Sequence, residues 1–547
     1  MEVLLMPIDD FTLAPPGTLA VLDDAHIGDI TGALGTIRHN DTHARRSWKG
    51  RLLALLAIMG PGLIVMVGDN DAGGVATYTQ AGQNFGTSLL WTLPLLVPVL
   101  IVNQEMVVRL GAVTGVGHAR LIFERFGTFW GAFSVGDLFI LNFLTIVTEF
   151  IGIRLAAAYF GVTPYLVVPL AALALVAMTI TGSFRRWERC MYLFIAGNFL
   201  AIPLVFLVHP DLAQIGHDTV VPHISGGAVS DAVLLIVAIV GTTVAPWQLF
   251  FQQSNVIDKR ITPRWLQYER ADTVIGSFVV IVGAGALMIT AAVAFHHTAL
   301  AGHFTDAGGV AAGLRLTIGG AAGAIFAVVL LNASIIGASA VTLATAYACG
   351  DVFRINHSLH RGVGDAKLFY SVFTCLVALA AGIVLIPDAP LGVITTAVQA
   401  LAGVLLPSAT VFLLLLCNDK EVLGPWANAP WLNALASMIV AVLLMLSAIL
   451  VVNTLFAAFD VADLVPWLAA ALGALLVVLL AATVLAYRRR EEVARIHRAT
   501  WRMPQLALLD RPAWSLSRQV GMLALRGYLV VAVLLLIVKA VELSIVR

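Results

Sequence analysis

Charge is scarce in this chain. Only 12% of its 547 residues are Asp, Glu, Lys or Arg, against about 25% in soluble domains. No sign is in excess either, because Lys+Arg and Asp+Glu both number 32. A balanced chain has no polyanionic partner to steer towards it, which excludes a nucleic-acid binder. Cysteine is nearly absent. Cys190, Cys349, Cys375 and Cys417 are the four, and none forms a CxxC pair. That excludes a zinc or redox motif of that type and leaves small-residue packing as their role. The N-terminus also lacks a secretory signal. It carries Asp9, Asp10, Asp23 and Asp24 with Pro15 and Pro16, and residues 1–50 are expected to form a flexible cytoplasmic tail.

What the chain has instead is apolar length. Sixty per cent of it is hydrophobic and its mean hydropathy is +0.93. A membrane span needs about 20 mostly apolar residues. Such runs fall at 52–85, 88–113, 130–160, 162–182, 190–208, 230–254, 272–296, 318–349, 368–387, 392–416, 430–456, 463–486 and 523–545. The expected fold is an all-α polytopic membrane bundle of about 11–13 spans. Soluble globular enzymes and disordered chains are excluded. Positive charge tests the order of these spans. With the N-terminus inside, 28 of the 32 Lys+Arg fall on the cytoplasmic side, and only Arg154, Arg315, Lys539 and Arg547 do not. The external connection 209–229 has His209, His217 and His223 but no Lys or Arg. Such asymmetry is what the positive-inside rule requires.

Two of the runs are interrupted. Span one contains Gly60-Pro-Gly and then Gly68-Asp69-Asn70-Asp71-Ala-Gly73-Gly74. Span six contains Gly241-Thr242-Thr243-Val244-Ala245-Pro246-Trp247. Gly and Pro weaken helices, and Pro removes a backbone donor. Irregular backbone at membrane depth survives only inside protein or beside a cavity. An intramembrane carboxylate marks a functional site. Interruptions in spans one and six suit two inverted repeats, spans 1–5 (51–208) and spans 6–10 (230–416), followed by further spans in 430–547. Secondary transporters place substrate between two such broken helices. Carboxylate oxygen with unwound carbonyls suits a hard divalent cation.

At these residues the sequence resembles the Nramp family of divalent-metal transporters. Asp71-Ala-Gly-Gly-Val-Ala-Thr, continuing to Ala81-Gly82, Phe85-Gly86 and Leu89-Leu-Trp91, is similar to the family's Asp-Pro-Gly-Asn motif and the run after it. Gly241-Thr-Thr-Val-Ala-Pro246 resembles its span-six motif, Ala338–Ala348 its span-eight run, and Leu406-Pro407 with Asn418–Gly424 the end of span ten. The resemblance implies a LeuT-type fold with two inverted five-helix repeats over roughly residues 50–425. It implies that Asp71 binds metal, with Gly74 at the family's Asn position, Ala245 at its Met position and Thr242 at its backbone-carbonyl position. Trp247 and Gln252 stand where the family has histidines linked to proton movement. Glu149 is kept, but Ile146 and Leu405 replace polar residues.

The departures carry physical weight. Loss of the thioether removes the soft ligand that favours transition metals. Ala and Gly at the ligand positions are expected to widen the cavity, which suits Mg²⁺ because it keeps several waters. In this the chain resembles the Nramp-related magnesium transporter branch, which implies transport of Mg²⁺ and Mn²⁺ without proton coupling.

Other polar residues join the list of candidates. Asp69 contacts hydrated metal if the helix is unwound there, and Asn70 belongs to the same ion path. Glu149 either lines that path or pairs with Arg154. Gln399 is placed in the outer vestibule. Glu105 is expected to pair with Arg109, four residues on. His296, His297 and His303 read as solvated loop. The basic connection 487–520 suits a membrane-surface helix on anionic lipid.

The sequence therefore points to a non-enzymatic transporter in the plasma (inner) membrane. Mg²⁺ or Mn²⁺ would be its substrate rather than a cofactor, and it would work by alternating access. The lipid bilayer is the only other partner expected, and a monomer satisfies the pattern. Two alternatives stay open: a proton-coupled Mn²⁺/Fe²⁺ importer of ordinary Nramp type, and an organic-solute symporter of the same fold.

Overall fold

The computed structural model describes residues 24–41, 43–387, 389–455 and 461–488, with short pieces between 501 and 530. Most of the thirteenth run, 523–545, and most of the basic connection 487–520 lie outside the described residues. The described residues are 77% helical, and the fold is all-α, as expected. Nine helices among the described residues are long and apolar enough to cross a membrane, or ten if the bent pair Trp48–Ile58 and Pro61–Gly68 counts as one. Proline at the first turn and Thr179 at the last leave the fourth run as a helix of only 16 residues, Pro164–Thr179.

The first run divides into three helices. Trp48–Ile58 is capped by Ser47, whose hydroxyl accepts from the Gly50 N–H. Gly60, at φ +153°, makes the 53° bend that only a residue without Cβ adopts cheaply. Pro61–Gly68 follows, with Pro61 supplying no N–H in the first turn, where none is needed. Asp69, Asn70 and Asp71 form the break, and Ala72–Phe85 completes the span. Span six divides in the same way into Val229–Thr243 and Pro246–Asp258, because Pro246 cannot continue the helix before it.

The remaining spans form the frame. Span three (Thr128–Tyr159) packs along span eight (Gly320–Phe353). Span seven (Leu266–Phe295) lies against both halves of span one, and span ten (Leu391–Cys417) lies against the first half of span six. One continuous apolar core runs through these helices. Leu166, Leu170 and Leu173 of span four remain exposed on the outside, where lipid replaces water.

The N-terminal tail departs from expectation. Residues 30–32 and 35–37 pair as a two-stranded antiparallel hairpin. It is held by side chains from distant spans. Arg185 donates to the carbonyls of Gly32 (3.0 Å) and Gly35 (3.3 Å) and to the Thr36 hydroxyl. Arg189 donates to the Ala33 carbonyl at 3.2 Å, and Arg260 to those of Ala25 (2.9 Å) and Asp29 (3.2 Å). Residues 24–41 are therefore a docked element rather than a flexible tail. The Arg side chains of two separate connections converge on this face, which puts these connections on one side of the bundle.

Candidate functional site

The two breaks meet inside the bundle. Asp71 caps the second half of span one, its Oδ1 accepting from the Gly74 N–H at 2.7 Å. The positive end of that half-helix thus faces a carboxylate, a favourable arrangement. Glu149 of span three accepts from the Ala72 N–H at 3.1 Å, and its carboxyl lies within hydrogen-bond reach of Asp71. Arg154 turns away and donates to the Val384 carbonyl at 2.7 Å, so the Glu149–Arg154 pair does not form.

Asp69 is fully buried. Its Oδ1 accepts from the Gln248 amide, while Oδ2 has no hydrogen-bond partner. Gln248 in turn accepts from Gln104 at 2.8 Å. Tyr78 and Thr243 share a hydroxyl–hydroxyl bond of 2.7 Å. The two broken helices are therefore joined on both sides of the gap. The Thr242 hydroxyl is buried with no partner, and a Cβ on Gly74 would lie 3.3 Å from it. Ala245 starts the second half of span six and is buried. Thus Asp71, Asp69, Gly74, Thr242 and Ala245 all belong to the two breaks.

The pathway residues divide. Gln399 of span ten lies directly against Gly73, where an added Cβ would fall on its amide. It stands beside the span-one break, and its Nε2 has no partner. Asn70 donates to the Val280 carbonyl at 3.1 Å and lines a cavity of about 240 Å³ among spans one, five and seven. Trp247 packs against Gly68 and the Phe251 ring as core. Gln252 donates to Thr273 at 3.0 Å, one helical turn beyond Gln248.

The widened cavity expected at Gly74 is not found. A Cβ there would come within 2.5 Å of the Asp69 carbonyl oxygen, so backbone already fills the space. Beside Ala72 and Ala76 there is a void of only about 10 Å³, at the lower limit for one water. Among the described residues no three His, Cys, Asp or Glu side chains are grouped to hold a metal ion. An ion here would be held by few carboxylates with backbone, amide and hydroxyl oxygens, a donor set fit for a hard cation.

Several contributors were missed from sequence. Neither Gln248 nor Gln104 is among the candidates read from the sequence, although together they hold Asp69. Glu105 does bind Arg109 at 3.0 Å, and it also binds Arg270 at 2.5 Å.

Two broken helices crossing around a buried aspartate, inside a frame of long apolar spans, define a membrane transporter of LeuT-like fold. The chain belongs to the Nramp family: the model for natural resistance-associated macrophage protein-like sequences matches residues 62–453. This is a family of transporters, not enzymes. The chain is 29% identical over 427 residues to the divalent metal cation transporter MntH of Burkholderia ambifaria, covering 75% of this chain and 92% of that one. It is 25% identical over 417 residues to the MntH of Bacillus subtilis, covering 73% and 93%. Its fold matches the crystal structure of the Eremococcus coleocola manganese transporter with TM-score 0.61 and 18% identity, over 86% of this chain and 98% of that one.

Proposed function

We propose that this protein is a secondary transporter of divalent metal cations that carries Mg²⁺ and also accepts Mn²⁺, by alternating access and without proton coupling. It sits in the plasma membrane with its N-terminus in the cytoplasm. The observation that carries this reading is the donor set at the crossed breaks. Asp71 and Asp69 supply oxygen, Thr242 supplies an unpartnered hydroxyl, and Ala245 stands where the resembled motif has a sulfur ligand. Without thioether or imidazole the site offers Mg²⁺ as much as it offers Mn²⁺. The names of the relatives support a divalent metal as the substrate class. Trp247 and Gln252 in place of histidines support transport without a proton relay.

The test is Mg²⁺ uptake into proteoliposomes with an internal Mg²⁺ dye. Saturable uptake that Asp71→Ala abolishes is expected. Vesicles that take up Mn²⁺ but no Mg²⁺ would overturn the hard-site reading.

One observation favours a proton-coupled Mn²⁺ importer instead. Glu149 stands beside Asp71, so a titratable group besides the proposed ligands is present at the site. A pH dye inside the same vesicles separates the two: uptake without acidification is the expected result.

A further inference from the structure

Gln248 is fully buried in the first turn of the second half of span six, Pro246–Asp258. Its amide meets three different elements. Nε2 donates to Asp69 Oδ1 in the span-one break and to the Thr243 carbonyl, 3.2 Å away, at the end of the first half of span six. Oε1 accepts from the Gln104 amide of span two (Thr92–Thr114) at 2.8 Å. Thr243 is the last residue of its helix, so its carbonyl is one of those that a helix end leaves without an internal partner. The amide nitrogen therefore lies between a carboxylate and a freed carbonyl, one from each break. Those are the oxygens that unwound segments present to a cation. A neutral NH₂ group holds the place of a positive charge.

As a stand-in it is incomplete. Asp69 is fully buried, and its Oδ2 has no partner. A buried carboxylate with one oxygen orphaned carries the full desolvation penalty of that oxygen. A cation would remove the penalty, and the Gln248 amide is the group in its way. That amide can turn without giving up its bond to span two. Gln104 Oε1 is also buried and unpartnered, so the Gln104–Gln248 pair has a second arrangement, in which Gln248 Nε2 donates to Gln104 Oε1. The terminal torsion of glutamine is broad and roughly two-fold, so half a turn of each side chain exchanges oxygen and nitrogen. The helix that carries Gln248 is tied down at its far end. There Lys259 donates to the Met59 carbonyl at 2.7 Å and to Glu188 at 2.5 Å, which holds it against the start of span one. A side-chain rotation answers an arriving ion with no shift of this backbone.

We propose that Gln248 is a ligand held in reserve for the transported divalent cation, and that it sets how tightly the ion is bound. In the empty site its amide nitrogen stands beside Asp69 in the cation's place. On binding, both amides turn over, so that Gln248 Oε1 faces the ion and Nε2 donates to Gln104 Oε1. The ion gains a neutral oxygen at the moment the Asp69 carboxylate is released to it. Amide and carboxylate oxygens both suit a hard cation. The inference rests on divalent-cation transport at the crossed breaks, but not on the choice of Mg²⁺ over Mn²⁺.

The test compares Gln248→Leu with Gln248→Glu in the full-length protein, with Mn²⁺ as probe. Both variants lose the N–H bond to Asp69, so a purely structural role moves both the same way. The proposal separates them. Leucine removes the oxygen ligand, and half-saturation of uptake into proteoliposomes is expected to rise about tenfold. Glutamate keeps an oxygen there, removes the competing N–H group and adds charge. Its half-saturation is expected to fall about tenfold, with a slower maximal rate because release is held back. Mn²⁺ binding in detergent, with free ion counted by electron paramagnetic resonance, is expected to shift in the same two directions. Shifts of one sign in both variants, or native affinity in either, would overturn the proposal. Gln248→Glu is nearly isosteric and decides alone where the leucine variant fails to fold: binding no tighter than native overturns it. Native protein that takes up Mn²⁺ but no Mg²⁺ would count against the magnesium reading alone. Native protein that takes up neither ion would overturn the transport reading, and this inference with it.

Discussion

The two broken helices look alike in sequence outline but hold different chemistry. The span-one break carries two carboxylates and an amide in three residues, Asp69, Asn70 and Asp71. The span-six break carries no charge at all between Gly241 and Trp247. Each side chain of the first break is engaged from outside its own helix: Asp69 by Gln248, Asn70 by Val280 and Asp71 by Glu149. The second break offers mainly backbone, one free hydroxyl and a small residue, Ala245. On the proposed function, span one would supply the charge that attracts a cation. Span six would supply the neutral wall that sets how large or soft the ion is. Affinity and selectivity would then be separable, because they sit on different helices.

The sharpest way to break that division is at Asp71. Asp71→Ala loses both the charge and the helix cap, and uptake is expected to fall to background. The cap alone is worth about 1 kcal/mol. Asp71→Asn keeps an acceptor for the Gly74 N–H and loses only the charge. Its melting temperature is expected to stay near native while uptake is lost as completely as in the alanine variant. An Asn variant that transports would show that charge at this break is dispensable.

Packing of the charged break comes next. Gly73→Ala forces a methyl onto the Gln399 amide, and overpacking of this kind destabilises by about 1–3 kcal/mol. Combining it with Gln399→Ala is expected to restore the melting temperature measured in detergent. Gly74→Ala meets backbone rather than a side chain, and no single partner substitution is expected to rescue it.

The neutral wall is tested by Ala245→Met. A thioether returned to span six favours softer ions. The ratio of Mn²⁺ to Mg²⁺ uptake is expected to rise by about tenfold with Asp71 untouched. An unchanged ratio would mean that span six does not set selectivity.

The smallest effect lies outside the bundle, at His357 in the connection after span eight. Burial works against its charged form, but the Asp351 carboxylate, 3.2 Å away, outweighs this and raises its pKa above the ordinary histidine value. A raised folded-state pKa gives stability that is complete below the unfolded value, about 6.5, and is lost as pH rises through the folded one. The native protein is expected to melt slightly lower at pH 8.5 than at pH 6. His357→Gln is expected to flatten that difference, without changing the contrast between the two breaks.

Much of this was legible in the sequence because it is local. Apolar length marks spans, and Gly, Pro and Asp inside them mark breaks. Asp71 could be read from a short motif. Where contacts join distant residues, the sequence was silent. Gln399 reaches Gly73 from a different span. The hairpin at 30–37 has strands of only three residues, too short to give a pattern, and Arg185, Arg189 and Arg260 hold it from far along the chain. The size of the site was misjudged at Gly74 for a related reason. Removing a side chain opens space only if the backbone does not move in, and here the Asp69 carbonyl stands in that place.

The hairpin also imposes an order on biogenesis. Ala33 leaves the ribosome 155 residues before Glu188, the side chain that receives its N–H. Elongation runs at about 5–20 residues per second, so the strand pair waits on the order of ten seconds for its dock. For most of that wait span one is already made, without the residues that will later brace its first end. Lys259 arrives later still, with the second broken helix. The brace at the start of the first broken helix is thus completed only by the synthesis of the second, which makes assembly of the two a single late event in the life of the nascent chain.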